Sequence, residues 1–160
     1  MELHNTKIDL GKEKREKLVA ILNQSLADAA DLRSQAKQAH WNVKGPNFIA
    51  LHELFDRVAT EVDVHVDDLA ERITTLGGVA MGTVRFAAAN TSLSEYPHEI
   101  TDGTAHVDAL SSALADFGKK VRKNIDDTDE LGDKDTSDLY TGVSRGIDKL
   151  LWFVEAHNQA

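Results

Sequence analysis

The 160-residue sequence contains no cysteine, which excludes disulfides and thiolate metal sites together. That absence fits a reducing compartment. It has only two prolines and ten glycines, few for a sheet-rich fold with its many turns. It lacks any apolar run long enough for a transmembrane helix, so none is expected. The first 17 residues hold five bases and four acids; without an apolar signal core they read as a cytosolic start. They are not a polycationic tail either. Positive charge is scarce overall, with 18 Lys and Arg against 27 Asp and Glu, for a net charge of −9. Such a surface attracts cations and repels nucleic acid.

What is present is helical. From about Lys12 to Val43, apolar residues recur at Leu18, Leu22, Leu26, Ala29, Leu32 and Ala36, the period of an amphipathic helix. At ~100° per residue, His40 falls in the middle of that stripe. Gly45-Pro46 ends this helix, and Pro46 is placed to begin the next. The second helix, about Asn47 to Leu76, has Leu51, Phe55, Val58, Val62, Val66, Leu69 and Ile73 on one face, with Gly77-Gly78 as its stop. Beyond it lies a weakly periodic stretch, "VAMGTVRFAAANTSLSEYPHEI", with room for one short helix.

A third long helix starts near Thr101 to Thr104, with Val107, Leu110, Leu114, Phe117, Val121 and Ile125 inside. After an acidic connection a fourth begins at about Thr136, with Leu139, Val143, Ile147, Leu150, Leu151 and Val154 inside and Asp135 or Thr136 as N-cap. Four such helices predict an all-α four-helix bundle. A helix of ~30 residues is ~45 Å long, a distance that some two dozen extended residues can span. The second and third long helices are therefore expected to run parallel, joined by a long crossover. The chain reads as one domain, 1–160, with a short N-terminal segment 1–11.

The second helix also carries His52, Asp56, Asp63, Asp67 and Glu71 in a narrow sector beside its apolar face, whereas His65 falls on the opposite edge. His52 with Asp56, and Asp67 with Glu71, are i, i+4 pairs, each able to converge on one point. Imidazole with carboxylates suits iron, zinc or manganese. Asp56 and Asp67 lie ~16 Å apart along the helix, too far for one metal. A second copy packed antiparallel across a two-fold axis near Glu61 or Val62 would bring His52 and Asp56 opposite Asp67 and Glu71. Two identical shared sites would follow, with His40 available to complete each. Spacing alone leaves this open against an ordinary solvated acidic face and a hydrogen-bonded core histidine.

At these residues the sequence resembles a known family. "KQAHWNVKGPNFIALHELFD" followed by "DDLAERITTLGGVAMGT" is similar to the signature of the Dps mini-ferritins, and the similarity continues through "SEYP" to "GIDKLLWFVEAH". The resemblance implies a ferritin-like four-helix bundle with the crossover and its short helix, assembled as a hollow homododecamer. It implies a cytoplasmic bacterial ferroxidase that oxidises Fe(II), with hydrogen peroxide, and stores ferric mineral against oxidative stress. Its di-iron ligands would be His40, His52 and Asp56 of one subunit with Asp67 and Glu71 of the two-fold partner, Glu71 being the candidate bridge. Zinc would fit the same ligands as an inert mimic.

Trp41 reads as an interface anchor, and the resemblance adds an electron-donor role beside the di-iron site. The segment from Asp126 to Asp138 carries seven acids and one base, Lys134. It reads either as a solvated loop or, by the resemblance, as the lining of an iron-entry pore with Asp129 and Asp138 as candidates. The alternative function is that of a DNA-compacting structural protein, nucleoid-associated. The terminal "EAHNQA" is not basic, and a salt-sensitive gel shift at neutral pH would be the sign of that role.

Overall fold

The computed structural model describes residues 3–159. Among them are five helices and no strand: α1 (Lys12–Asn42), α2 (Phe48–Thr75), α3 (Val84–Asn90), α4 (Gly103–Glu130) and α5 (Lys134–Glu155). None of these helices is long and apolar enough to cross a membrane. The short α3 lies within the long connection, so α4 and α5 are the third and fourth long helices expected from the periodicity.

Three polar contacts fix the helix directions. The Arg15 guanidinium, early in α1, donates to the Leu76 carbonyl at the end of α2 (2.8 Å). The Lys44 amide, just past α1, donates to the Thr101 carbonyl just before α4 (2.8 Å). Late in α2, Arg72 reaches Asp133 at the start of α5. Hence α1 is antiparallel to α2, α4 is antiparallel to α5, and α2 and α4 start at the same end. Parallel neighbours need a connection along the bundle's whole length, and residues 76–102 supply it.

The crossover is laced to α1 by polar side chains. Asn23 donates to the Val79 carbonyl and accepts from the Met81 amide. Asp28 accepts from the Ser92 amide and hydroxyl, Asp31 from the Thr91 hydroxyl, and Gln35 donates to the Ser94 carbonyl. Asn23, Asp28 and Gln35 are nearly fully buried, and these bonds meet the desolvation cost that burial of a polar group carries. The apolar stripes form the core as expected, with Val66, Ile125, Leu139 and Leu151 at its half-buried margin.

The expected last connection is corrected. The acidic stretch is not a solvated loop, and neither Asp135 nor Thr136 caps the last helix. Residues 126–130 continue α4, only residues 131–133 separate it from α5, and Asp133 is the N-cap. Gly132 makes the turn with φ +79, a conformation that costs a residue with a Cβ. Thr128 is buried within the acidic run, its hydroxyl donating to the Asn124 carbonyl (2.7 Å). That donation satisfies a polar group the helix turns inward.

Candidate metal centre

The α1–α2 turn brings two distant histidines into contact. The extended Val43 ends α1, and Gly45, at φ +110, reverses the chain in a region glycine tolerates best. Pro46 lies in the turn rather than opening the helix, and Asn47 precedes α2. His40, in the last turn of α1, then stacks on His52 with ring centroids 3.8 Å apart. His40 was expected on the core stripe but is half-buried. Its ring is drawn aside by two reciprocal bonds.

Those bonds decide the chemistry. His40 Nδ1 lies 2.7 Å from the His52 carbonyl oxygen, and His52 Nδ1 lies 2.8 Å from that of His40. A carbonyl only accepts, so each Nδ1 carries its proton and donates, leaving Nε2 of both rings as the lone-pair nitrogen. Fixing the tautomer through one ring nitrogen is how proteins prepare a metal-binding histidine.

One turn past His52, Asp56 accepts from the Lys37 ammonium at 2.5 Å. That bond, with a lesser contribution from the charge itself, holds the Asp56 carboxyl below the usual aspartate range. Lys37 also lies 5.9 Å from the centroid of the Trp41 ring. Together with Arg33 and Asp63, themselves paired at 2.5 Å, these side chains line an open cleft of about 450 Å³ on the α1–α2 face. Lys37 was absent from the expected set, although its spacing from His40 and Trp41 in α1 puts all three on one side.

Asp67 and Glu71 stay apart from this wall, exposed farther along α2. Among the described residues, no three His, Asp or Glu side chains gather closely enough to hold a metal within one chain. The exposed apolar residues Ile49 and Val64 share the helical sector of Asp67 and Glu71. His65 sits on the other edge, packed against Gly146 of α5, with Nδ1 lacking a hydrogen bond and with burial lowering its basicity. Asp129 pairs with Lys134, and Asp138 is exposed on α5.

Residues 19–160 match the family model of the ferritin-like domain. The DNA protection during starvation protein of Agrobacterium fabrum is 46% identical over 159 residues, covering 99% of this chain and 98% of that one. The chain belongs to the Dps family of ferritin-like proteins. Solved Dps structures superpose over nearly its full length. Mycobacterium smegmatis Dps in its tetragonal form gives a TM-score of 0.93 at 32% identity, covering 98% of this chain and 96% of that one. The Dps protein of Vibrio cholerae O1, described as one of a broad superfamily of ferritin-like diiron-carboxylate proteins, gives 0.90 at 26% identity and 99% coverage of both chains. In this Dps chain, the crossover, the reciprocal histidine pair and the exposed carboxylates of α2 all lie within the matched region.

Proposed function

We propose that this Dps protein is a ferroxidase and iron store. Ferrous iron is its substrate, hydrogen peroxide its oxidant, and the ferric product is kept inside a hollow shell of twelve subunits in the bacterial cytoplasm. The observation that carries this reading is the reciprocal His40–His52 bonding, which leaves two Nε2 lone pairs beside an ionised Asp56. Neutral imidazoles with a carboxylate form a donor set suited to iron.

The complete site needs a second copy. Asp67 and Glu71 of a two-fold partner would face the His40, His52 and Asp56 wall, and Trp41, Ile49 and Val64, all exposed in one chain, would be covered at that interface. Trp41 then serves as an anchor and as an electron donor beside the site. Two ferrous ions each give up one electron to hydrogen peroxide, which takes up two protons and leaves as two waters. The carboxylates, as hard ligands, favour the ferric product. An entering cation displaces the Lys37 ammonium from Asp56, so the wall carries its own counter-charge before loading.

Anaerobic ferrous titration followed by stoichiometric peroxide tests the reading. The double variant His52→Ala with Asp56→Ala is expected to lose more than the ~10–100-fold that removal of a mere supporting group costs. Equal rates in variant and wild type would refute it.

Iron would enter past acidic side chains from the α4–α5 corner, with Asp129 and Asp138 contributing and Lys134 neutralising part of the Asp129 charge. Asn at both aspartates is expected to slow iron uptake by ~10-fold at low ionic strength, since focused charge raises cation on-rates by at least that much. An unaltered rate counts against the pore. Of the basic N-terminal residues that DNA compaction would draw on, Lys12 and Lys17 pair with Glu16 and Glu13.

A further inference from the structure

The chain has two tyrosines, both buried: Tyr96 in the crossover and Tyr140 in α5. Their hydroxyl partners differ in kind. The Tyr140 hydroxyl meets Ser25 Oγ at 2.8 Å, and Ser25 in turn accepts from the Asn124 amide at 3.0 Å. Neither group can take up a proton near neutral pH. Tyr96 instead meets Nδ1 of His106 at 2.6 Å, and His106 is only 1% exposed.

The direction of that bond follows from the chemistry of its two partners. A phenol O–H is the stronger donor and a neutral imidazole nitrogen the stronger acceptor, which leaves the ring's own proton on Nε2. Nδ1 is then the acceptor, and the Tyr96 hydroxyl donates to it. Nε2 makes no hydrogen bond among the described residues, while the Asn42 and Ile100 backbone favours the protonated ring against the effect of burial. Burial keeps His106 neutral at rest and pushes both phenols above the usual tyrosine range. Neither phenol ionises before it is oxidised.

The pair also stands directly behind the candidate metal wall. The His106 ring lies 6.0 Å from that of Tyr96 and 6.4 Å from that of Phe55. Phe55 immediately precedes Asp56 and sits one turn after His52, while Asn42 is two residues past His40. Aromatic packing is therefore continuous from Tyr96 to the elements that carry the ligands.

We infer that Tyr96, with His106 as its proton acceptor, is an internal electron donor that quenches one-electron oxidants arising at the His40, His52 and Asp56 wall. The oxidant class is the hydroxyl radical, or an equivalent formed from peroxide and ferrous iron. This rests on the ferroxidase reading only for the source of that oxidant. Tyr96 gives its electron to the oxidant and its phenolic proton to His106 Nδ1. The hydroxyl radical takes that electron and one solvent proton and becomes water. A ferrous ion then returns an electron to the tyrosyl oxygen, the proton moves back from His106, and the iron leaves as ferric. The net change is one ferrous ion oxidised and one radical reduced to water.

Freeze-quenched electron paramagnetic resonance tests the inference in two arms, with the indoles replaced (Trp41→Phe, Trp152→Phe) so that they do not compete. In the first arm, the iron-free protein is oxidised by photochemically generated tris(bipyridine)ruthenium(III). In the second, ferrous-loaded protein receives hydrogen peroxide. A tyrosyl radical is expected in the first arm, unchanged in Tyr140→Phe and absent in Tyr96→Phe. His106→Gln, whose amide accepts a hydrogen bond but not a proton, is expected to slow its formation by ~100-fold, the usual worth of a positioned base. It should also abolish the slowing that the parent shows in heavy water. A merely structural contact between crossover and α4 would move neither the radical assignment nor the isotope effect.

A radical that survives Tyr96→Phe, no tyrosyl radical in the first arm, or a rate indifferent to His106→Gln overturns the inference. A Tyr96 radical in the first arm without one in the second supports the pair and counts against iron oxidation at the wall.

Discussion

Asp133→Ala is expected to lower stability by about 3–5 kcal/mol, the cost of leaving one partner of a buried ion pair alone. Asp133 is 4% exposed, and it does three things at once. Both its oxygens accept from Arg72 Nη2, at 2.9 and 2.8 Å. It caps α5 through the Thr136 amide and also accepts from the Thr136 hydroxyl. The Arg72 Nε donates to that same hydroxyl at 2.8 Å, so α2 and α5 are joined through one network. Removing the carboxylate strands a guanidinium whose side chain is only 14% exposed and uncaps a helix. Urea unfolding at fixed protein concentration measures the loss. A change below about 1 kcal/mol, typical of an exposed pair, would show that the network contributes little.

The same residue carries a pH signature. Burial alone would raise the Asp133 carboxyl, but the bonds from Thr136 and Arg72 outweigh it and hold the group below the usual range. A carboxyl depressed in the native state stabilises fully above its unfolded value of about 3.9 and loses that contribution as pH falls through the native value. The stability gap between wild type and Asp133→Asn should therefore be flat from neutrality to about pH 5 and shrink in stronger acid. A gap that persists undiminished in strong acid contradicts this assignment.

The Asp133 network also marks where sequence reading stops. The long helices are legible because Leu18 to Ala36, Leu51 to Ile73, Val107 to Val121 and Val143 to Val154 repeat at the helical period and are buried almost without exception. The parallel relation of α2 and α4 follows from connection length alone. The start of α5 is not legible in the same way. Asp126 to Glu130 show no apolar period, so a solvated helix end resembles a loop, and Asp133, Asp135 and Thr136 are all reasonable caps by residue type. Only Arg72, sixty-one residues earlier, selects among them.

Within the candidate site, His52 with Asp56 and Asp67 with Glu71 are visible as i, i+4 pairs, and their separation along one helix already calls for a second chain. The tautomers of His40 and His52 are not visible. They depend on a turn that sets each ring against the other's backbone, and no spacing rule encodes that. Lys37 on Asp56 and Tyr96 on His106 are likewise products of packing between α1, α2, the crossover and α4.

The shared nature of the site is the central claim, and complementation between two inactive chains tests it directly. One chain carries His52→Ala with Asp56→Ala; the other carries Asp67→Ala with Glu71→Ala. Alone, each assembly has every site damaged, and ferrous oxidation by peroxide should fall to background. When the two are refolded together at equal ratio, each mixed two-fold pair holds one site built wholly from intact residues and one with both walls lost. Random pairing at an isologous interface then restores about a quarter of the wild-type sites. Oxidation recovering to about that fraction is the predicted result. No recovery in mixed assemblies of wild-type size would contradict a site divided between two subunits.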